Sequence, residues 1–155
     1  MSISRRLAEL GLELPAVTPP LAAYVPAARH GDTVWTSGQL PMVDGVMPVT
    51  GKVGDGPGLV TPEQAKALAR VAALNALAAV AAKVGSLDAV VQVVKVVGYV
   101  ASDPSFTGQP GVVNGASELL GELFGEAGVH ARSAVGVAAL PLDAPVELEL
   151  VVAVR

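Results

Sequence analysis

The carboxyl-terminal stretch HARSAVGVAALPLDAPVELELVVAVR places charged side chains where buried strands are expected. Arg132 opens an apolar run, and Glu147 and Glu149 interrupt the next one. Burying an unpaired charge costs several kcal/mol, so such a group needs a partner or contact with water. Arg132 is therefore predicted either to pair with a carboxylate of the protein or to bind an anionic ligand.

The residues around Arg132 favour a ligand. On an extended strand Arg132 shares a face with Ala134 and Gly136, and such small residues leave room for a bound molecule. The planar guanidinium group can hold a carboxylate through two parallel hydrogen bonds. The alternate positions of the strand are predicted to face the core: Ser133, Val135 and Val137.

A structural ion pair between Arg132 and a glutamate is the alternative. If the last two strands form a simple hairpin about residues 142–143, Arg132 lies opposite Val152 or Ala153. Glu147 is then roughly 15 to 20 Å away along the ladder. A direct ion pair within one chain is therefore disfavoured, although the two groups could still meet through a wider connection or across a subunit boundary.

Composition limits the partners of the chain. Its 155 residues suffice for one domain with a single core. A net charge of −4 without a basic run argues against a nucleic-acid partner. Cysteine is absent and the two histidines lack a third ligand at metal spacing, so no metal site is predicted. With 52% hydrophobic and 15% charged residues, self-association is expected.

No secretory signal and no membrane span are predicted. The N-terminus MSISRRLAEL lacks an apolar region typical of a signal. The longest helical apolar stretch, VAALNALAAVAA, contains Asn75, lies between Arg70 and Lys83, and is shorter than the roughly 20 residues that a bilayer requires. The protein is predicted to be soluble and cytoplasmic.

Local signals predict the helices and a hairpin. A short capped helix and a Pro-rich linker precede a hairpin with Gly31 in its turn. The segment TPEQAKALARVAALNALAAVAAKVG is the clearest helix, because Thr61 and Gln64 can form a capping box and Gly85 can end it. A second long helix is predicted from about Pro110 to Phe124.

The order of these signals predicts an α+β domain in which a mixed sheet carries two long helices on one face. The strand AVVQVVKVVGYV is β-branched on both sides, so both faces of the sheet must be covered. Two helices cover only one face. The other face carries Val151 and Ala153 beside the glutamates, and a neighbouring subunit is its expected cover.

Three segments resemble the signature regions of the reactive-intermediate deaminase family, also called RidA, YjgF or L-PSP endoribonuclease. They are WTSGQLP at 35–41, VVNGASELL around Asn114, and HARSAVGVAALPLDAPVELE at 130–149. The N-terminal helix and the long loop at 42–60 suggest the chorismate-mutase-like branch. The resemblance implies a homotrimer with sites in clefts between subunits. Residues 1–20 would form an extension of helix and linker, and residues 21–155 the family domain.

The resemblance also implies roles for individual residues. Arg132 would bind the substrate carboxylate, and Glu147 would orient the water that attacks an imine carbon, with Glu149 as the second choice. The substrate-binding residues that it implies are Tyr24, Ser37, Gly38, Asn114, Ala134 and Glu149. From residue type alone, Tyr24 would be a strand-edge aromatic, Gly38 a turn residue and Asn114 a helix cap.

The implied activity is hydrolysis of a 2-imino acid to a 2-oxo acid and ammonia, without a cofactor. Two positions depart from the family pattern, since Ala134 stands where cysteine is frequent and Ser117 where an aromatic residue is common. These departures motivate the alternative, a trimeric protein that binds a small carboxylate and does no chemistry. The family's ribonuclease label fits poorly with an acidic chain.

Overall fold

The computed structural model describes residues 2–17, 19–20 and 22–155. The elements in chain order are α1 (Ile3–Glu9), β1 (Ala27–His30), β2 (Thr33–Thr36), α2 (Pro62–Val84), β3 (Val90–Ala101), α3 (Gln109–Phe124), β4 (Ala131–Val137) and β5 (Val146–Val154). Short 3₁₀ turns lie at Leu87–Ala89, Gly125–Gly128 and Pro141–Asp143. The predicted order of hairpin, helix, strand, helix and two strands is confirmed.

The ends of α2 follow from local chemistry. The Thr61 hydroxyl accepts a hydrogen bond from the Gln64 backbone N–H, and the Gln64 side chain accepts one from the Thr61 N–H. At the other end Gly85 adopts φ 91°, a left-handed conformation that costs glycine little. The predicted capping box and terminator are both confirmed.

The five strands form one mixed sheet in the order β1-β2-β5-β3-β4. β3 and β4 pair in parallel, and the other neighbours are antiparallel. The predicted hairpin between β4 and β5 is wrong, because β3 lies between them. The chain between β3 and β4 contains α3, and a crossover of this length returns the chain in the direction that parallel pairing requires. Arg132 consequently lies opposite Val96 and not opposite Val152 or Ala153.

Both long helices cover the same face of the sheet. α2 packs on β1, β2 and β5, and α3 packs on β3 and β4. Alternate residues of β5 face these helices and are buried: Val146, Leu148, Leu150, Val152 and Val154. The predicted α+β architecture is confirmed.

The opposite face of the sheet, here called the open face, is largely apolar. Trp35 is 57% exposed and Val135 44% exposed there, and Val97, Val151 and Ala153 lie between them. Five-stranded sheets of this kind commonly keep one face wet only when it is polar. Because the open face is apolar, it is the surface that the predicted neighbouring subunit would cover.

The prediction about which residues of β4 are buried is wrong. The β4 residues Ser133, Val135 and Val137 lie on the open face, because they pair with the β3 positions whose side chains point away from the helices. Ala134, on the other side of β4, packs against the core. In α2 the buried surface is broad, since the helix contacts both the sheet and α3.

α2 is long and apolar enough, by length and composition alone, to cross a bilayer, so the length argument made from the sequence was too strict. Its most apolar 18-residue window is 56% buried against the rest of the protein, as expected of a core helix and consistent with a soluble protein. α1 is attached to this body through Leu7, which is buried. The predicted boundary falls at Leu21, outside the described residues, so the division into 1–20 and 21–155 stays a prediction.

Candidate active site

Arg132 lies on the edge strand β4, and its side chain reaches towards α3. Its Nη1 donates to Asn114 Oδ1 at 2.7 Å and to Ser117 Oγ at 3.2 Å. Asn114 and Ser117 are three residues apart and therefore lie on the same side of α3. Asn114 thus contacts the arginine and does not cap its helix.

The Arg132 guanidinium has no carboxylate partner among the residues that the structure describes. The ion pairs found there are Arg5–Glu9, Arg6–Glu9, Lys66–Glu118 and Arg70–Glu122. Both hydrogen-bond partners of Arg132 are neutral and use Nη1 only. The remaining N–H groups, on Nε and Nη2, are the pair that matches the two oxygens of a carboxylate. The alternative of an ion pair with a glutamate of the same chain is not found.

Glu147 lies on the open face of β5, and its carboxylate is pressed against Gly38. A Cβ built at Gly38 would lie 2.0 Å from Glu147 Oε1, so the carboxylate occupies the space that a side chain would need. Burial raises the pKa of Glu147, and the nearby charge of Glu149 raises it further. Within the described residues this carboxylate accepts no hydrogen bond, which leaves both oxygens available to water.

Glu149 is differently placed although it shares the same face. Its Oε1 accepts a hydrogen bond from the Tyr99 hydroxyl at 3.0 Å. The pKa of Tyr99 is raised, first by burial and then by this hydrogen bond and the charges of both glutamates. Of the two glutamates, Glu147 is therefore the one with a free carboxylate beside Gly38.

A small cavity of about 100 Å³ adjoins Gly38. Its walls are apolar for the most part: Pro19, Pro20, Tyr24, Pro26, Gly38, Gln39, Leu40, Met42 and Leu142. Asn75 of α2 fixes one wall, because its Nδ2 donates to the carbonyl oxygens of Leu40 at 2.9 Å and Met42 at 3.0 Å. Tyr24 and Gly38, both implied as substrate-binding residues, thus line one cavity.

Two implied residues have other positions. The Ser37 hydroxyl donates to the Val25 carbonyl oxygen at 2.6 Å and holds the chain that leads to Tyr24. Ala134 lies on β4 two residues after Arg132, and its side chain faces the helices. Ser37 therefore belongs to the Glu147 region, and Ala134 to the Arg132 region.

The structure does not bring Arg132 and Glu147 together within one chain. Arg132 faces α3, as its partner Val96 does, whereas Glu147 pairs with Tyr99 and faces the open side. β3 separates their strands, which is roughly 10 Å across the sheet, and their β3 partners Val96 and Tyr99 are three residues apart, which is roughly 10 Å along it. The two backbones are therefore roughly 14 Å apart. The candidate site is therefore two half-sites, one at the β4 edge and one beside Gly38.

Two polar residues beside Arg132 were missed by the sequence reasoning. Ser117 Oγ lies 2.9 Å from His130 Nε2, and His130 Nδ1 lies 2.6 Å from the Gly128 carbonyl oxygen. In the sequence, Ser117 stood out only as a departure from the family pattern, and the two histidines only as lacking a third metal ligand. No group of three or more histidine, aspartate or glutamate side chains suited to a metal occurs in the described part of the chain.

The mixed sheet with two helices on one face places the protein in the chorismate-mutase-like class of α+β folds. Residues 4–153 match the family described as "YjgF/chorismate mutase-like, putative endoribonuclease". The chain belongs to this family, which confirms the resemblance seen in the sequence.

Relatives match over nearly the whole chain. Protein TCP17 of Trypanosoma cruzi is 42% identical over 151 residues, which is 97% of this chain and 92% of that protein. The crystal structure of Atu1372 from Agrobacterium tumefaciens, of unknown function, is 42% identical with a TM-score of 0.89, covering 99% of this chain and 92% of that one. A Shewanella oneidensis structure bearing the family's endoribonuclease description is 32% identical with a TM-score of 0.94, covering 99% and 100%.

Proposed function

We propose that this protein is a homotrimeric deaminase that hydrolyses 2-imino acids in clefts between its subunits. Water adds to the imine carbon, the carbon–nitrogen bond breaks, and a 2-oxo acid and ammonia leave. An enamine such as 2-aminoacrylate enters after it has tautomerised to its imine. The intrinsic reaction is facile, so positioning and charge matching supply what this site must add.

The observation that carries the proposal is the unpaired guanidinium of Arg132. A partly buried arginine without a carboxylate is costly unless an anion completes it. Asn114 and Ser117 orient the group through Nη1 and leave Nε and Nη2 for the ligand. Every 2-imino acid carries a carboxylate next to the reacting carbon, which is the anion that such a fork binds.

Glu147 is the group that we assign to the water. Its carboxylate has no hydrogen-bond partner in the described residues, and its pKa is raised by burial and by Glu149. A raised pKa makes a carboxylate a better proton acceptor near neutral pH. Glu149 is already engaged by the Tyr99 hydroxyl, which supports Glu147 as the first choice.

A trimer reconciles the two half-sites. Because Arg132 and Glu147 face opposite sides of the sheet, a substrate of a few atoms can contact both only if they come from different chains. The apolar open face needs a cover of the kind that a second subunit supplies.

TdcF of Escherichia coli, a protein of the same fold that is 24% identical with a TM-score of 0.62, holds serine in its crystal structure. A reactive-imine hydrolase of this kind would act in the cytoplasm.

The first experiment follows the loss of 2-aminoacrylate generated in situ. We expect the intact protein to accelerate formation of pyruvate and ammonia, and Arg132→Ala to reduce that acceleration strongly. Arg5→Ala is the matched control, since Arg5 is exposed and pairs only with Glu9. No acceleration over buffer by the intact protein would refute the deaminase. Calorimetric binding of pyruvate without turnover would instead support a binding protein.

A second experiment tests whether the site is shared between subunits. Arg132→Ala and Glu147→Gln chains are each expected to be inactive alone. When the two are unfolded, mixed in equal amounts and refolded together, about a quarter of the sites combine an intact arginine with an intact glutamate. Recovery of about a quarter of the activity is expected, and a mixture as inactive as its parents would refute the shared site.

A further inference from the structure

Arg132 stands at the end of a chain of three hydrogen bonds that runs through side chains to the backbone. Arg132 Nη1 donates to Ser117 Oγ, Ser117 Oγ lies 2.9 Å from His130 Nε2, and His130 Nδ1 lies 2.6 Å from Gly128 O. Gly128 is buried in the turn that follows α3. The chain of bonds thus links the edge strand β4, the helix α3 and a fixed carbonyl group.

The direction of each bond follows from its last member. A carbonyl oxygen only accepts, so the proton between His130 and Gly128 belongs to His130 Nδ1. In the neutral imidazole Nε2 is then an acceptor. The Ser117 hydroxyl must donate its hydrogen to Nε2, which turns a lone pair of Ser117 towards Arg132.

We propose that Ser117 and His130 are positioning residues that fix the plane of the Arg132 guanidinium. Nη1 carries two hydrogens, and Asn114 Oδ1 and Ser117 Oγ take both of them. A carboxylate can therefore be held by two bonds only at the edge formed by Nε and Nη2. The ligand role of that edge rests on the proposed function, whereas the arrangement of Ser117 and His130 does not.

A nucleophilic role for Ser117 is disfavoured by the same geometry. Its hydroxyl lies within the regular helix α3, and a strained turn that would expose it is absent there. The Arg132 guanidinium donates to the oxygen that would attack, which withdraws its lone pair from reaction. The contact is instead what an arginine requires when two neutral acceptors orient it.

The chain of hydrogen bonds from Arg132 through Ser117 and His130 to Gly128, here called the relay, is tested first without any ligand. The chain has two histidines, so long-range proton–nitrogen NMR spectra contain two imidazoles, and His30→Gln identifies the signals of His130. Neutral His130 is expected to carry its proton on Nδ1, and Ser117→Ala is expected to speed rotation of the Arg132 guanidinium. A proton on Nε2, or guanidinium rotation unchanged in Ser117→Ala, overturns the proposal. This result stands whether or not the protein is a deaminase.

The second readout is binding of pyruvate, the product carboxylate. Ser117→Ala should raise the Kd about three- to tenfold, since one of two orienting bonds is lost, and Ser117→Thr should restore it because the hydroxyl is kept. With 2-imino acid the same change should raise KM and leave kcat, because the carboxylate is held equally throughout the reaction. Ser105→Ala, which removes a hydroxyl that donates to Asp103, is the matched control.

A double-mutant cycle separates the relay from independent effects. If His130 acts on Arg132 through Ser117, His130→Phe should weaken pyruvate binding in the parent and change nothing further in Ser117→Ala. Additive losses in the double variant would overturn the relay. The proposed function fails if the intact protein does not accelerate the hydrolysis. If the intact protein binds no pyruvate, the NMR readout alone decides the roles of Ser117 and His130.

Discussion

Substitution of Gly38 by alanine moves Glu147 without removing it. The new Cβ would lie 2.0 Å from Glu147 Oε1, 2.8 Å from its Cδ and 3.1 Å from its Cγ. Ordinary contact begins at 3.4 Å, so the carboxylate oxygen must retreat by about 1.4 Å. A shift of about 1 Å in a catalytic group can cost on the order of 100-fold in rate. We expect a loss of that order in kcat for 2-imino acid hydrolysis.

The fold should tolerate this change. The obstacle is the end of a flexible side chain, and moving it off its preferred rotamer costs about 0.5 to 1.5 kcal/mol. Replacing glycine by alanine returns about 0.4 to 1 kcal/mol by restricting the unfolded chain. The free energy of unfolding should therefore change by less than about 1 kcal/mol, as measured by thermal or urea melts. Gly56→Ala, where the nearest atom to the new Cβ is 3.5 Å away, is the matched control.

A double variant identifies the cause of the lost activity. If the methyl group acts by displacing Glu147, then Gly38→Ala in a Glu147→Ala background should change the rate no further. The free energy of unfolding should then rise by about 0.4 to 1 kcal/mol, because only the restriction of the unfolded chain remains. Wild-type activity in the single variant Gly38→Ala would refute the assignment of the water to Glu147. A further loss in the double variant would show that the Gly38 backbone itself binds the substrate.

Three further outcomes are expected. A Cβ at Gly115 would lie 1.9 Å from the backbone oxygen of Lys66, so Gly115→Ala should push α2 away from α3 and lower the free energy of unfolding by about 3 kcal/mol or more. Gly121→Ala, on the same helix, meets no atom within 4 Å and should raise that free energy by about 0.5 to 1 kcal/mol, as measured in urea melts. The raised pKa of Glu147 adds stability that is fully present below the ordinary glutamate pKa and is lost as pH rises through the raised value. Glu147→Gln should remove this dependence of the melting temperature on pH, and an unchanged dependence would contradict the assignment. Trp35 is the single tryptophan and lies on the open face, so dilution that dissociates a trimer should shift the tryptophan fluorescence to longer wavelength. Emission typical of a solvent-exposed indole at all protein concentrations would exclude that face as an interface.

The parts of the fold that depend on local chemistry were predictable from the sequence. The capping box at Thr61, the terminator Gly85 and the hairpin turn at Gly31 each involve residues within a few positions of one another. Such signals need no knowledge of the rest of the molecule. The helices consequently begin and end within a residue or so of the predicted positions.

Strand pairing was not predictable in the same way. β4 and β5 are adjacent in sequence and separated by a short turn, which is typical of a hairpin, yet β3 lies between them. The decisive contacts join β3 to both strands across long stretches of chain, and no local signal reports them. The faces of β4 were also misassigned, because an apolar surface outside the core has the same sequence pattern as the core itself.

The residues of the candidate site could be proposed from the sequence, but their arrangement could not. Residue type drew attention to Arg132, the family resemblance added the role of Glu147, and the structure places Asn114 beside the first and Gly38 beside the second. Which side of the sheet each occupies depends on register, and a shift of one residue reverses every side chain. The partnership of Ser117 with His130 left no sequence signal, because thirteen residues and the end of a helix separate them.

The position of Arg132 on an edge strand gives these half-sites their physical logic. A guanidinium at the centre of a sheet would be covered by strands on both sides, whereas β4 has a neighbour on one side only. At that edge α3 orients Nη1, while Nε and Nη2 make no hydrogen bond within the described part of the chain. Glu147 is held on a central strand, where burial keeps its pKa raised and Gly38 admits its carboxylate. An arginine open at an edge and a glutamate exposed on an uncovered face cannot serve one small substrate within this chain, but they can when the edge of one copy approaches the open face of another.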